Sequence, residues 1–364
     1  MTADVRRPID RWLLLFALLL TVTGMVWVYS ATGTRSGFTF VLKQSISGLI
    51  GMALMLALSQ VDLSALRESS KSVITLYFLF ITLLAVVFLF GAKNGAHRWI
   101  IYHGYQMQPS EFFKPFSVII TSWWMVKCRE SWTKRQEAIP KLITLFGILL
   151  LPLALIFKEP DMGTAFLILF VSILIIFLGG APRWFFVMII PVMFAAGTYF
   201  IKSEPYRYER VKAYLNMVVD SKGSGYQPEQ SLIAIGNGGL YGVGLGGGQQ
   251  KLNFLPEAHT DFIYAIIGEE FGLVGTITVL GLFVAILWRG YRIVRRARDS
   301  FLRLCACGFT LLLVAQAFMN ISVVLNMVPN KGIPLPFISY GGSSLVASFM
   351  CLGLLLSISK ETGS

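Results

Sequence analysis

The sequence predicts an all-α integral membrane protein of about ten transmembrane helices, with both termini cytoplasmic and one long outer loop between spans 7 and 8. Three observations carry this. Of 364 residues, 55% are hydrophobic and 14% charged, whereas a soluble domain has about 25% charged residues. Mean hydropathy is +0.68. Apolar runs of the length that spans a bilayer, about 17–25 residues, recur near 12–30, 40–60, 73–91, 110–126, 142–157, 163–180, 184–201, 262–288, 302–325 and 341–359.

The first run follows Arg6, Arg7 and Arg11 and is too long for a signal-peptide core, so it reads as an uncleaved span. The fourth opens with Glu111 and Lys114. The fifth and sixth are separated only by "KEPDM", which predicts a tight hairpin. The seventh and eighth flank residues 202–261, in which "PYRYERVKAYLNMV" has helical spacing and "QSLIAIGNGGLYGVGLGGG" follows. An amphipathic piece lying on the outer membrane surface is expected there. No internal repeat or linker divides the chain, so residues 1–364 read as one membrane domain.

Basic residues orient the spans. With the N-terminus inside, the inner segments carry 18 Lys and Arg and the short outer loops carry 5, which is the bias that positive-inside orientation demands. The net charge of +12 is explained the same way and implies no nucleic-acid partner, because no basic stripe accompanies a soluble fold. Cys128, Cys305, Cys307 and Cys351 fall within spans or on inner flanks, so no outer disulfide is expected.

With that orientation, the unusual polar residues gather at the outer face. Glu111 and Lys114 share a helix face, as an anchoring ion pair or as the lining of a polar cavity. Asp161, before Met162 and Gly163, suits a helix N-cap, with a binding role as the alternative. Arg98 beside Trp99 reads as an interfacial belt or as a phosphate contact, and Arg207, Arg210 and Lys212 form a second basic group. Gly242, Gly244 and Gly247 match G-x-G-x-x-G. No strand precedes them, so a nucleotide site is rejected in favour of turns or close approach to a headgroup.

The strongest candidate is Asp261, at the mouth of the eighth span, with Glu257, His259 and Thr260 beside it. A carboxylate there can cap a helix or act as a general base. By helical rise Glu269 lies about 12 Å deeper and about 80° around from Asp261, so of the two glutamates at most Glu269 could line the same cavity; Glu270, about 180° around, is expected to meet a neighbouring helix or to point toward the inner half of the bundle. A general base, phosphate-friendly cations and an interfacial cavity point to transfer from a lipid-linked phosphate donor.

The segments "GAHRWI", "QPSEFFK", "EPDMGTA", "GYQPEQSLIAIGNGGLYGVGLG", "LPEAHTDFIYAIIGEEFGLVG" and "KGIPLPFISYGGSS" together resemble the SEDS family of shape, elongation, division and sporulation proteins, over nearly the whole chain. Their form is more similar to the division branch than to the elongation branch. The resemblance implies ten helices and a peptidoglycan glycosyltransferase that polymerises lipid II at the outer face of the bacterial cytoplasmic membrane, releasing undecaprenyl pyrophosphate. It implies an essential carboxylate at Asp261 and functional positions at Arg98, Glu111, Lys114 and Lys331, with Asp161 retained. It further implies a class B penicillin-binding protein as partner, with other divisome proteins. A divalent cation, Mg or Mn, is possible at Asp261, although no dedicated ligand set stands in the sequence. Glu159 departs from the neutral residue common before the Pro-Asp pair. The competing readings are a lipid II flippase and a non-catalytic scaffold for the transpeptidase.

Overall fold

The computed structural model describes residues 9–91, 97–102, 105–203, 208, 226–251, 255–329 and 332–362. Each of the ten apolar runs lies on a helix. These are α1 (Arg11–Gly33), α2 (Gly37–Leu58), α3 (Ser70–Val86), α4 (Pro109–Lys127), α5 (Arg135–Lys158), α6 (Met162–Leu178), α7 (Arg183–Lys202), α9 (Ile263–Arg296), α10 (Ser300–Val324) and α11 (Gly342–Thr362). An additional helix, α8 (Tyr226–Gly238), lies in the long loop. Among the described residues, seven helices are long and apolar enough to cross a membrane, with α6 and α7 as shorter apolar helices.

The helices pack at two distinct levels of burial. Helices α4, α10 and α11 form the interior, with α4 buried along most of its length. Helices α2 and α3 keep most of their surface outside the protein. A helix that is apolar all round can face either protein or lipid. Helices α1 and α2 fold back on each other at Gly33, whose φ of 69° breaks the helix. Ser45 and Gly48 then meet Met25 across the hairpin. Pro160 and Asp161 similarly end one helix and start the next between α5 and α6, giving the predicted hairpin.

Two features differ from the sequence expectation. Residues 97–108 are not an all-helical connection: β1 (Ile100–Tyr102) pairs antiparallel with β2 (Tyr105–Met107), Ile101 opposite Gln106. The β-branched and aromatic residues Ile100, Ile101, Tyr102 and Tyr105 favour strands over a helix. Helix α8 is also more than a surface piece. Its Gly238 lies against Gly268 of α9 so closely that a Cβ would strike the Gly268 carbonyl, and Ser231 Oγ donates to Val324 O at 2.7 Å. Small residues permit this approach. The "PYRYERVKAYLNMV" stretch lies outside the described residues apart from Tyr208.

Helix α9 is broken at Gly272, where φ is 63°. The break frees backbone groups that must find partners inside a membrane. The segment after α8 supplies them. Val243 and Gly244 N–H donate to Glu269 and Glu270 O, and Leu273 and Val274 N–H donate to Gly239 and Leu240 O. Gly242, at φ 81°, sits where a side chain would overlap the Glu270 carbonyl. The glycine run thus forms turns, as expected, and at Gly242 approaches α9 closely.

Polar residues distant in sequence meet at two ends of the bundle. At one end Asp10 caps α1 and accepts from Arg289 Nε at 2.9 Å, Arg67 pairs with Asp299, and Lys360 Nζ reaches Gln60 at 2.8 Å. Lys127 stands over the Trp123 ring and Arg135 over Trp184, as cations do at a membrane boundary. The opposite end holds Arg98, Asp161, Glu257, His259 and Asp261 from among the residues singled out from the sequence.

Candidate functional site

The site is built around residues 332–341, the segment that enters α11. Pro334 and Pro336 bar a helix there by removing amide donors, so the segment's polar groups depend on side chains from neighbouring elements. Gln44 of α2 donates to Ser339 O at 3.0 Å and accepts from Gly341 N. Gln316 of α10 donates to Pro334 O at 2.9 Å. Asn320, one turn later, donates to Ile333 O at 2.7 Å. All three amides are buried, where an unpaired polar group would be costly.

The same segment holds the loop that carries Asp261. Ser339 Oγ donates to Thr260 O at 2.5 Å, and Tyr340 N donates to His259 O at 2.9 Å. Asn320 Nδ2 also donates to Asp261 O at 2.7 Å. Asp261 itself is half-buried, one residue before Phe262, the N-cap of α9. Its carboxylate faces Gly332: a Cβ on that glycine would lie 3.2 Å from Asp261 Oδ2. Glu257 is exposed at φ 56° and turns the loop, with its carbonyl and Oε2 accepting from Thr260 Oγ1. The His259 ring packs edge-on to Phe40 and tilts against Tyr340. Burial lowers its pKa, with Glu257 opposing, so the neutral imidazole is favoured.

A second cluster centres on Asp161. One oxygen accepts from Thr164 N at 3.2 Å, the predicted cap. The other accepts from Gln108 Nε2 at 2.6 Å and Ser110 Oγ at 3.4 Å. The Gln108 main chain is tied to Ser343 Oγ at 3.0 Å. Deeper on α4, Glu111 and Lys114 form a buried ion pair at 2.6 Å, and Lys114 Nζ also donates to Gln316 Oε1 at 2.7 Å. Gln316 therefore joins the ion pair to the 332–341 segment, and Asn320 joins that segment to Asp261.

The remaining sequence candidates are placed as follows. Arg98 donates from Nε to Glu159 O at 2.8 Å and from Nη2 to Pro160 O, clasping the α5–α6 hairpin. Arg210 and Lys331 lie outside the described residues. Glu269 does not line a cavity with Asp261, as its angle suggested. Its carboxylate is buried and accepts from Gln249 N at 2.8 Å and Gln250 N at 3.2 Å. Glu270 meets Ser30 of α1 at 2.5 Å, the expected neighbouring-helix contact, and Lys251 at 2.7 Å. Charge directed the sequence search, so it passed over the neutral residues Gln44, Gln108, Gln316, Asn320, Ser339 and Ser343. The signal available was Gln316 and Asn320 at i, i+4 within an apolar span, one polar stripe on a helix face.

Among the described residues, no three Asp, Glu, His or Cys side chains gather as a metal set. Asn320 and Ser339 are engaged with main-chain carbonyls of the Asp261 loop, so among the described residues no dedicated divalent-cation cage stands around it.

A bundle of apolar helices whose carboxylates, amides and hydroxyls converge at one end defines a polytopic membrane protein with a polar site at the membrane boundary. The family model described as cell cycle protein, FtsW/RodA/SpoVE, matches residues 10–364, and the chain belongs to that family. It is 38% identical to the probable peptidoglycan glycosyltransferase FtsW of Geobacter metallireducens, over 97% of this chain and 95% of the relative. It is 36% identical to stage V sporulation protein E of Bacillus subtilis, over 99% of each. Among solved structures, a chain from work titled "Structural coordination of polymerization and crosslinking by a peptidoglycan synthase complex" superposes with a TM-score of 0.78 at 25% identity, covering 97% of this chain and 98% of that one. A mutant of the rod shape determining protein RodA from Thermus thermophilus superposes with a TM-score of 0.70 at 25% identity, covering 98% and 99%.

Proposed function

We propose that this peptidoglycan glycosyltransferase polymerises lipid II into glycan strands at the outer face of the bacterial cytoplasmic membrane, with Asp261 as general base. The observation that carries the proposal is the placing of a half-exposed carboxylate on a loop pinned by Asn320, Ser339 and Tyr340. A fixed carboxylate at hydrogen-bond reach of an entering hydroxyl is what general-base catalysis requires.

Asp261 takes the proton from the 4-hydroxyl of the acceptor GlcNAc. That oxygen attacks the anomeric carbon of the donor MurNAc, the α-linked undecaprenyl pyrophosphate leaves, and a β-1,4 bond forms with inversion. Cations stabilise charge that develops on the leaving group. Lys114 is committed to Glu111 and Gln316, and two donors of Arg98 are committed to hairpin carbonyls. The pyrophosphate role therefore falls to Arg210 and Lys331, the latter immediately before Gly332.

The ten helices are proposed to cross the membrane with both termini inside. The pairing of Asp10 with Arg289 and of Lys360 with Gln60 at one end supports this, as does the basic excess there. A class B penicillin-binding protein is the proposed partner, within the division complex at the septum, as the FtsW-named relatives suggest. A flippase draws support from the break at Gly272, since transporters use discontinuous helices around a substrate. Here the freed backbone groups are bound by residues 239–244, which favours the enzyme.

The test is lipid II polymerisation by the complex with a transpeptidase-inactive partner. Wild type makes glycan strands, and folded, partner-bound Asp261→Ala makes none. Equal polymer from both would remove Asp261 from the chemistry.

A further inference from the structure

Asn320 lies on α10, and its side-chain amide is buried. Its single NH2 group donates to Asp261 O and to Ile333 O, each at 2.7 Å. The two acceptors belong to different segments, one carrying Asp261 and the other beginning just after Lys331. The amide oxygen, Oδ1, is buried and has no hydrogen-bond partner among the described residues. Leaving a buried acceptor unpaired costs about 1–3 kcal/mol, so this side chain is not arranged for its own best hydrogen bonding. One turn earlier, Gln316 accepts from Lys114 Nζ and donates to Pro334 O. The two amides thus run in series along one helix, from the Glu111–Lys114 ion pair to the Asp261 main chain.

We propose that Asn320 is a positioning residue for the transfer reaction: by holding the Asp261 and Ile333 carbonyls together it sets the carboxylate of Asp261 against Gly332. Gln316 braces the same arrangement from the ion pair. This rests on the assignment of Asp261 as general base. Asn320 reaches the reaction only through the main chain. It acts on the chemical step and leaves recognition of the lipid unchanged. Misplacing a catalytic group by about 1 Å can cost about 100-fold in rate.

Removing the amide also takes its N–H donors away from the Asp261 and Ile333 carbonyls. Their partial negative charge disfavours the ionised base, so the acid limb of the kcat profile moves to higher pH. The described ionisable groups around this end, Glu257 and His259 on the loop and Glu111 and Lys114 on α4, are unchanged by Asn320→Leu.

The experiment measures lipid II polymerisation by the full complex with a transpeptidase-inactive partner, per folded enzyme, for wild type, Asn320→Leu, Asn320→Asp and Asp261→Ala. The expected result for Asn320→Leu is a kcat lower by about 10- to 100-fold, a KM within about twofold of wild type and an acid limb moved upward. Asn320→Asp keeps the shape and, when protonated, one donor. Its activity relative to wild type should rise as pH falls, and it carries the test if the leucine variant does not fold. Unchanged kcat and an unmoved limb in the variant that folds would overturn the proposal, as would a loss confined to KM. Full activity in Asp261→Ala would instead remove the general base, and the positioning role with it.

Discussion

Gly332 stands against Asp261 so closely that a Cβ on the glycine would lie 3.2 Å from the carboxylate Oδ2. Its φ is 63°, a conformation that disfavours any side chain. The two constraints have different origins, one from the backbone and one from the neighbour, and both act at the proposed base.

Gly332→Ala is therefore expected to lower kcat for lipid II polymerisation by about tenfold or more, by moving the carboxylate or the segment after Lys331. Strain of about 1 kcal/mol in the left-handed region accompanies it, a loss that leaves most of the protein folded. The check is the rate per folded enzyme, with folding followed by thermal melting. A variant that melts lower yet keeps the wild-type rate would show that the contact with Asp261 carries no weight in the reaction.

The Glu111–Lys114 pair leads to a second prediction. Both side chains are buried, and removing one partner from such a pair costs about 3–5 kcal/mol, because the other charge stays behind unpaired. Lys114→Met should thus destabilise strongly, while Glu111→Gln combined with Lys114→Met should recover much of the loss. Thermal melting of the two singles and the double measures the coupling. Polymerisation by the stable double variant then separates roles: retained activity makes the pair an anchor, and lost activity gives it a part in the site.

Much of this architecture was legible because membrane spans are written as long apolar runs, and a lipid environment leaves the backbone few alternatives to a helix. All ten runs fell on helices, and seven of these among the described residues are long and apolar enough to cross a membrane. The Asp161 cap and the Glu111–Lys114 pair were legible too, since both depend on neighbours within four residues. The break at Gly272 was not. It depends on hydrogen bonds from residues 239–244, and a lone glycine in an apolar run gives no sign of a distant partner. The surroundings of Glu269 were illegible for a related reason: its carboxylate is held by the amides of Gln249 and Gln250, which arrive from a segment some twenty residues earlier. The linking amides Gln316 and Asn320 carry no charge, and their importance comes from what the 332–341 segment lacks.

Glu159 supports a prediction about pH. It lies between α5 and α6, fully buried, and neither carboxyl oxygen has a hydrogen-bond partner among the described residues. Burial is the main cause that pushes its pKa up to about 8 from the ordinary 4.5; the negative charge of Asp161 adds to this, and Arg98 opposes it. Below pH 4.5 the folded and unfolded chains both hold this proton. Between about 4.5 and 8 the folded chain keeps a proton that the unfolded chain has released, so stability falls as pH rises through that window. Above about 8 the contribution is gone, because the folded chain must then bury the carboxylate. Glu159→Gln resembles the neutral acid in shape and has no proton to lose. The two proteins should melt at nearly the same temperature at pH 5, and the variant should melt higher by about 2 °C or more at pH 9. Melting of wild type and variant in the same lipid nanodisc across that range is the measurement. A difference that stays constant with pH would mean that Glu159 does not titrate in this window, and that its oxygens find partners which keep the carboxylate charged.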